Sequence, residues 1–225
     1  AVRMAAKGLT AAPDALEHHA GYLAALSPRS RADRSSAMPD LGKRMRILDL
    51  GLSIKKYPVC YATHRVIDGV LDLARAHDLK PDQVKAVRAR IGVAQASMLR
   101  NHSPITGLEA KFSLEFAVAS SLVARRVGLG ELTDPFVAQP AIRALMPKVA
   151  ISTEDSQCPI EQIFAMNDRV QIDLIDGRTL DSGEIRFARG NAKLPLKTAD
   201  LRAKFMDCVS AAPELPGAEL FDDLS

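Results

Sequence analysis

The segment at 63–77, THRVIDGVLDLARAH, has the two-sided pattern of a surface helix, and it constrains the fold more than any other segment. Its apolar residues recur at spacings of three and four, so they fall on one helical face: Val66, Ile67, Val70, Leu71 and Ala74. The stretch VKAVRARIGV at 84–93 follows and alternates between apolar and polar residues, as a strand does. The chain is therefore expected to combine helices with strands.

The other patterns extend this combination along the chain. Helices are predicted at 1–28, with a break at GLTAAPD, and at 107–127, 134–146 and 198–212. Strands are predicted at 44–54 and in the segments KVAIST, RVQIDLI and EIRFARG, with a hairpin turn at Asp176-Gly177. The segment at 27–40 is rich in Ser, Arg and Pro and is predicted to be a linker. This order of elements predicts an α+β domain flanked by helical material.

The composition excludes several functional classes. The net charge is only +3 and basic residues are interleaved with acidic ones, so nucleic acid is not an expected partner. The three cysteines lie far apart without C-x-x-C spacing, so neither a disulfide framework nor a structural zinc site is expected. A reducing cytoplasm is therefore the expected location. The longest apolar stretches, such as FAVASSLVA, are too short to span a membrane.

The segment SIKKYPVCYATHRVIDG gathers several groups that carry charge or move protons. Lys55 and Lys56 are adjacent, and two ammonium groups that repel each other provide a site for carboxylates. With Thr63 as N-cap, His64 is the first helical residue, where the helix dipole favours the neutral imidazole. An anion-binding corner with a neutral base accounts for this pattern. A solvated lysine pair beside a capping histidine also accounts for it, and spacing alone does not decide between them.

A second group of polar side chains surrounds the start of the helix predicted at 107–127. His102 lies in the loop before that helix, and Lys111 and Ser113 lie in its first turns. Contact with a substrate is one interpretation of these residues. A structural role in the loop or in capping the helix is the other.

Four segments resemble the MmgE/PrpD family, which includes 2-methylcitrate dehydratases, cis-aconitate decarboxylases and iminodisuccinate epimerases. They keep the family's order along the chain: KKYPVCYATHRVID, HSPITGLEAKFSLEFAVASSLV, DLIDGRT and LPLKTADLRAKFMDC. The resemblance implies an inserted α+β domain at 42–190, flanked by helices of a larger all-helical domain at 1–41 and 191–225. It also implies a homodimer, and a site completed by the N-terminal half of the same enzyme. Since the chain starts without Met and within a helical pattern, we expect a fragment with an incomplete site.

The resemblance assigns site positions within the two basic segments. The family's basic position falls on Lys55, and its histidine falls on His64. Some members carry a histidine where this chain has Cys60, which leaves open whether Cys60 or His64 faces the substrate. The tyrosine of the decarboxylase branch falls on Phe116, and this departure argues against a decarboxylase.

The family's chemistry implies a role for each of these residue types. The substrates are small di- or tricarboxylates, and the expected first step removes a proton next to a carboxylate. Lys55 and Lys111 would hold carboxylates, with Lys55 also able to donate a proton, and His64 would act as base or acid. Substrate contacts are expected from Lys56, Tyr57, Cys60, His102 and Ser113. Neither a metal nor a cofactor is expected. A lyase or an epimerase is therefore predicted, and the alternative is a non-catalytic assembly or ligand-binding module.

Overall fold

The computed structural model describes residues 2–27, 42–43 and 45–224. The chain divides into two compact units, Ala1–Arg46 and Ile47–Ser225. Within its described residues, the first unit contains the short helices α1 (Val2–Ala5) and α2 (Tyr22–Leu26), which are joined by turns. The helix predicted over 1–28 is therefore present only near its two ends. The predicted linker at 27–40 lies outside the described residues from position 28 onward.

A four-stranded sheet forms the centre of the second unit, in the order β2-β1-β3-β4. The β1–β2 pair is parallel, whereas β1–β3 and β3–β4 are antiparallel. The strands are β1 (Val84–Gly92), β2 (Val149–Glu154), β3 (Asp168–Leu174) and β4 (Thr179–Ile185). The predictions for the first three strands are confirmed. The strand predicted in EIRFARG is wrong in position, because β4 begins at Thr179, directly after the hairpin turn, and ends at Ile185. Only Glu184 and Ile185 of that segment belong to β4.

The hairpin between β3 and β4 turns at Asp176-Gly177, as predicted. Gly177 has a φ of 91°, a left-handed conformation that favours glycine. The Asp176 carboxylate accepts a hydrogen bond from the backbone N–H of Arg178 at 3.0 Å. The turn therefore follows from the local chemistry of two residues.

Helices cover the sheet and supply most of the aliphatic core. The helix α4 (His64–Ala76) packs against β3 and β4 and against α7 (Leu114–Val123). Gly69 allows α4 to approach β4 closely, since a Cβ there would lie 2.6 Å from Cδ1 of Ile185. The remaining helices are α3 (Arg46–Leu50), α5 (Val93–Met98), α6 (Gly107–Ala110), α8 (Asp134–Val137), α9 (Pro140–Leu145), α10 (Thr198–Val209) and α11 (Gly217–Leu224). The predicted α+β class is confirmed. The predicted domain limits at 41/42 and 190/191 stay predictions.

The strand predicted at 44–54 is wrong. Residues 46–50 form the short helix α3, and Gly51 follows with a φ of 73°, which no extended strand adopts. The apolar side chains that suggested a strand are 42–82% exposed: Ile47, Leu48, Leu50, Leu52 and Ile54. Alternation alone was misleading here because a strand also needs a hydrogen-bonded neighbour. Lys55 and Lys56 therefore follow an irregular segment and not the end of a strand.

Three predicted helices differ in their limits. The helix predicted at 107–127 is divided into α6 and α7, because Ser113 begins a new helix by accepting a hydrogen bond from Phe116 N. Pro140 starts α9 and divides the helix predicted at 134–146. The helix predicted at 198–212 ends at Val209. The C-terminal segment contains a further helix, α11, that the sequence patterns did not predict. In the described part of the chain, no helix is both long and apolar enough to cross a bilayer.

Candidate active site

The two adjacent lysines of the basic segment point to different partners. Nζ of Lys56 lies 2.7 Å from Oδ1 of Asp200 in α10, so its charge is already compensated. Lys55 is exposed, and its Nζ lies 3.5 Å from the carbonyl oxygen of Val59. Among the described residues Lys55 has no carboxylate partner. The structure therefore separates the predicted lysine pair into one structural ion pair and one available cation.

Tyr57 connects the segment that carries Lys55 and Lys56 to α4 through a hydrogen bond. Its side chain is buried, and its hydroxyl donates a 2.7 Å hydrogen bond to Oδ1 of Asp68. Burial, followed by the nearby Asp68 carboxylate, raises the pKa of Tyr57 well above its usual value. Asp68 also accepts hydrogen bonds from the backbone N–H and the guanidinium of Arg189. The phenol thus stays protonated and holds the loop in place.

His64 lies inside the protein, with an exposed fraction of 0%. Its ring meets the rings of Tyr57 and Tyr61 edge-on, at centroid distances of 5.1 and 4.9 Å. Neither ring nitrogen has a hydrogen-bond partner among the described residues. Burial, with a smaller effect of the Lys55 charge, lowers the pKa of His64 to about 3. The imidazole is neutral, as the sequence predicted, but burial is the main cause.

The predicted cap of α4 is also different in detail. Thr63 precedes the helix but makes no side-chain capping bond, because it belongs to a 3-10 turn, Tyr61–Thr63. Its hydroxyl donates instead to the carbonyl oxygen of Cys60 at 2.8 Å.

A backbone hydrogen bond joins the two basic segments. The N–H of Cys60 donates to the carbonyl oxygen of Lys111 at 2.8 Å. The side chain of Cys60 is half-buried, and Lys111 lies half-buried between α6 and α7. Among the described residues the Lys111 ammonium has no ion-pair partner. Segments separated by about fifty positions in the sequence therefore meet, and they bring Lys55, Cys60 and Lys111 into one region.

His102 is oriented by a carboxylate that the sequence analysis missed. Nδ1 of His102 lies 2.8 Å from Oε1 of Glu115, whose side chain is only 8% exposed. The His102 side chain itself is 68% exposed. The Ser113 hydroxyl contacts the other carboxylate oxygen of Glu115 at 3.3 Å, and Ser113 is buried as the cap of α7. A lone acid in the apolar run LEFAVASSLV was the signal that could have identified Glu115.

Phe116 is buried and takes part in the aliphatic core. Its ring packs edge-on against that of Phe136, with a centroid distance of 6.2 Å. A core side chain therefore occupies the position that the resemblance assigns to the decarboxylase tyrosine.

A buried ionic network lies behind His64. Arg65 of α4 is 1% exposed, and its guanidinium contacts Oε2 of Glu161 at 2.8 Å and Oδ1 of Asp168 at 3.4 Å. It also donates to the carbonyl oxygen of Ala165 at 2.9 Å. The amide of Gln95 donates to both carboxylate oxygens of Asp168, at 3.2 and 2.9 Å. Burial raises the pKa of Asp168 to about 7, against the lowering effect of Arg65. Sequence reasoning missed this network, because its bonded residues lie 73–103 positions apart.

The network extends to the 3-10 turn before α4. The Tyr61 hydroxyl donates to Oε1 of Glu161 at 3.1 Å, and Asn191 donates to the same oxygen at 2.8 Å. Burial raises the pKa of Tyr61 to about 12. Glu161 thus links α4, the turn beside His64 and the segment after β4.

The pH dependence of stability tests the protonation states of Asp168 and His64, which are both buried. Between about pH 4 and 6.5, folded Asp168 retains a proton that the unfolded chain releases, so its contribution falls as pH rises. His64 acts in the opposite direction, because the unfolded chain binds a proton that the folded state excludes. The Asp168→Asn variant lacks this titrating group. We therefore expect its free energy of unfolding, relative to that of the unmodified chain, to increase as pH rises, by up to about 1.4 kcal/mol per pH unit. Urea unfolding at several pH values measures this, and equal slopes for the two proteins would contradict it.

The fold and the site together define a mixed α+β domain with a basic region on the loops beside α4 and α7. The sequence pattern of the MmgE/PrpD C-terminal domain matches residues 57–216. The chain therefore belongs to the MmgE/PrpD family and corresponds to its C-terminal domain. Members of this family are generally dehydratases or related enzymes. No match was found among curated proteins.

Proposed function

We propose that this domain is part of a lyase or epimerase that removes a proton next to a carboxylate of a small di- or tricarboxylate. The observation that carries the proposal is the hydrogen bond from Cys60 N to Lys111 O, at 2.8 Å. It brings together two segments that each supply a cation without a carboxylate partner among the described residues. A polycarboxylate substrate needs separate positive groups, and an acid or base near the carbon that loses its proton.

Lys55 and Lys111 are the proposed carboxylate contacts. Lys56 is less suited to bind a substrate carboxylate, because Asp200 already compensates its charge. Tyr57, Cys60 and Ser113 would shape the site, since Tyr57 and Ser113 are buried and Cys60 is half-buried. Lys55 stays a proposed proton donor as well.

Two imidazoles are available for the proton transfer. His102 is exposed and its Nδ1 is held by Glu115, which leaves Nε2 directed away from that contact and able to accept a proton. His64 is neutral but enclosed between Tyr57 and Tyr61. We propose that His102 transfers the proton on this domain. His64 is the alternative, and activity measurements on variants of the two histidines distinguish between them. We propose that the N-terminal part of the same enzyme completes the site, since the chain matches a C-terminal domain, and that the enzyme forms a homodimer.

Hydrogen exchange on candidate substrates tests the proposed function. The chain is combined with the N-terminal part of its enzyme in D₂O, and small di- and tricarboxylates are followed by NMR for deuterium incorporation, dehydration and epimerisation. We expect exchange at a carbon next to a carboxylate in the combined sample and little in the chain alone. Absence of exchange with every substrate would contradict the enzyme proposal and favour the assembly or ligand-binding alternative.

The same assay tests Lys55 and Lys111, the two lysines proposed to bind carboxylates of the substrate. We expect Lys55→Gln and Lys111→Gln each to lower kcat/KM by about 10- to 100-fold, since a hydrogen bond to a charged group contributes about 1.5–3 kcal/mol. Lys85→Gln is the matched control, because Lys85 is exposed on β1. Equal activity of the Lys55, Lys111 and Lys85 variants would show that the substrate binds elsewhere.

A further inference from the structure

A separate cavity of about 190 Å³ lies between α10, the loop before α4 and the segment after α7. Its floor is apolar and belongs to one buried cluster, through Tyr57, Leu71 and Val127. Charged side chains form most of the wall: Lys56, Arg75, Arg125, Arg126, Lys204, Asp200 and Asp207. Five cationic side chains therefore line this cavity with only two carboxylates.

Both carboxylates are already engaged. Asp200 lies 2.7 Å from Nζ of Lys56, which lowers the pKa of Asp200. Asp207 accepts a hydrogen bond from Leu129 N at 2.9 Å and contacts the Arg126 guanidinium at 3.4 Å. Neither acid is available to neutralise the remaining cations.

Arg75 and Lys204 have no hydrogen bond or ion pair from their side chains within the part of the chain that the structure describes. Arg125 donates to the carbonyl oxygens of Ala74 and Leu79, which are neutral acceptors, and its nearest carboxylate is the exposed Asp78 at 3.7 Å. The cavity therefore retains a surplus of positive charge above an apolar floor. Such a site has lower effective polarity than open solvent, which strengthens its attraction for an anion.

We propose that this cavity binds a small anion carrying at least two negative charges, through Arg75, Lys204 and Arg125. Arginine and lysine together suit phosphate or a short dicarboxylate, since guanidinium binds two oxygens at once and ammonium acts as a point charge. The volume is below the 300–1,000 Å³ that is usual for pockets of drug-sized ligands, which limits the ligand to a small anion. The cavity shares only Lys56 and Tyr57 with the proposed active site. The other proposed active-site residues do not line it: Lys55, Cys60, His64, His102, Lys111 and Ser113.

Calorimetric titration of the 225-residue chain tests this site without any assay of activity. Inorganic phosphate and malonate are titrated separately at low ionic strength, and we expect saturable binding of at least one of them that weakens with added salt. Arg75→Gln and Lys204→Gln should each weaken this binding by about tenfold or more. Ala203→Glu adds a carboxylate to the exposed side of the same α10 face and should abolish the binding.

Lys85→Gln serves as the control for a general loss of positive charge, and circular dichroism establishes that every variant is folded. Binding retained in Lys85→Gln and lost in Ala203→Glu supports the proposal. Saturable binding of neither anion would overturn it. It would also be overturned if the Arg75, Lys204 and Ala203 variants bound the anion as the unmodified chain does, since the ion would then occupy another place. Whether phosphate or malonate binds more tightly distinguishes a tetrahedral anion from a dicarboxylate.

Discussion

Replacing Arg65 with Met is expected to lower the free energy of unfolding by about 3–5 kcal/mol. Arg65 is 1% exposed and lies between the carboxylates of Glu161 and Asp168. Methionine fills similar volume but leaves the Glu161 carboxylate without its positive partner, and Asp168 without the guanidinium that favours its ionised form, in a region of low polarity. Urea unfolding followed by circular dichroism measures the loss.

An exposed pair provides the matched control for this substitution. Arg88 contacts Asp173 at 2.7 Å on the sheet surface with its side chain 52% exposed, so Arg88→Met should cost no more than about 1 kcal/mol. Glu161→Gln added to the Arg65→Met variant should recover part of the lost stability, because it removes one uncompensated carboxylate. Equal losses for the Arg65 and Arg88 variants would mean that the buried network contributes no more than a surface ion pair.

Replacing His102 with Gln is expected to lower kcat of the combined enzyme by about 10²- to 10⁴-fold, the usual contribution of a positioned acid or base. Glutamine keeps a polar group near Glu115 but cannot take up or release a proton in the working pH range. The proton exchange assay in D₂O measures this change directly. KM is expected to change much less than kcat, because His102 would act on the proton and not on the carboxylates.

Two further variants separate the role of His102 from alternatives. Glu115→Gln should lower kcat by a smaller factor, because it leaves the imidazole present but removes the charge that orients it. His64→Gln places a polar amide in a fully buried position, so its free energy of unfolding has to be measured beside its activity. If a folded His64→Gln variant lost activity while His102→Gln kept it, the proton-transferring role would belong to His64.

The elements with strong local patterns were predictable, and those that depend on distant partners were not. The helix α4 and the turn at Gly177 follow from periodicity and backbone preference within a few residues. The segment at 44–54 alternates equally well, but β1 pairs with β2 and β3 and leaves that segment outside the sheet. Ser113 and Pro140 interrupt runs that hydrophobicity alone reads as continuous helices.

The same distinction applies to the candidate site. The residue types at Lys55, Lys111 and His102 could be selected from the sequence because charged groups near predicted helix starts are recognisable. Their surroundings could not be predicted, because the partners come from distant parts of the chain. Asp200 pairs with Lys56 across 144 positions, so the charge of Lys56 is compensated and that of Lys55 is not. Burial was also not evident for His64 from its place at a helix start.

The loop that carries Lys55 is fixed at three successive points. Lys56 binds Asp200, Tyr57 binds Asp68, and Cys60 binds the backbone of Lys111. A loop held in this way has already lost most of its backbone freedom before any ligand arrives. Binding of the proposed substrate at Lys55 would then order little more than one side chain, and its entropic cost would be correspondingly small.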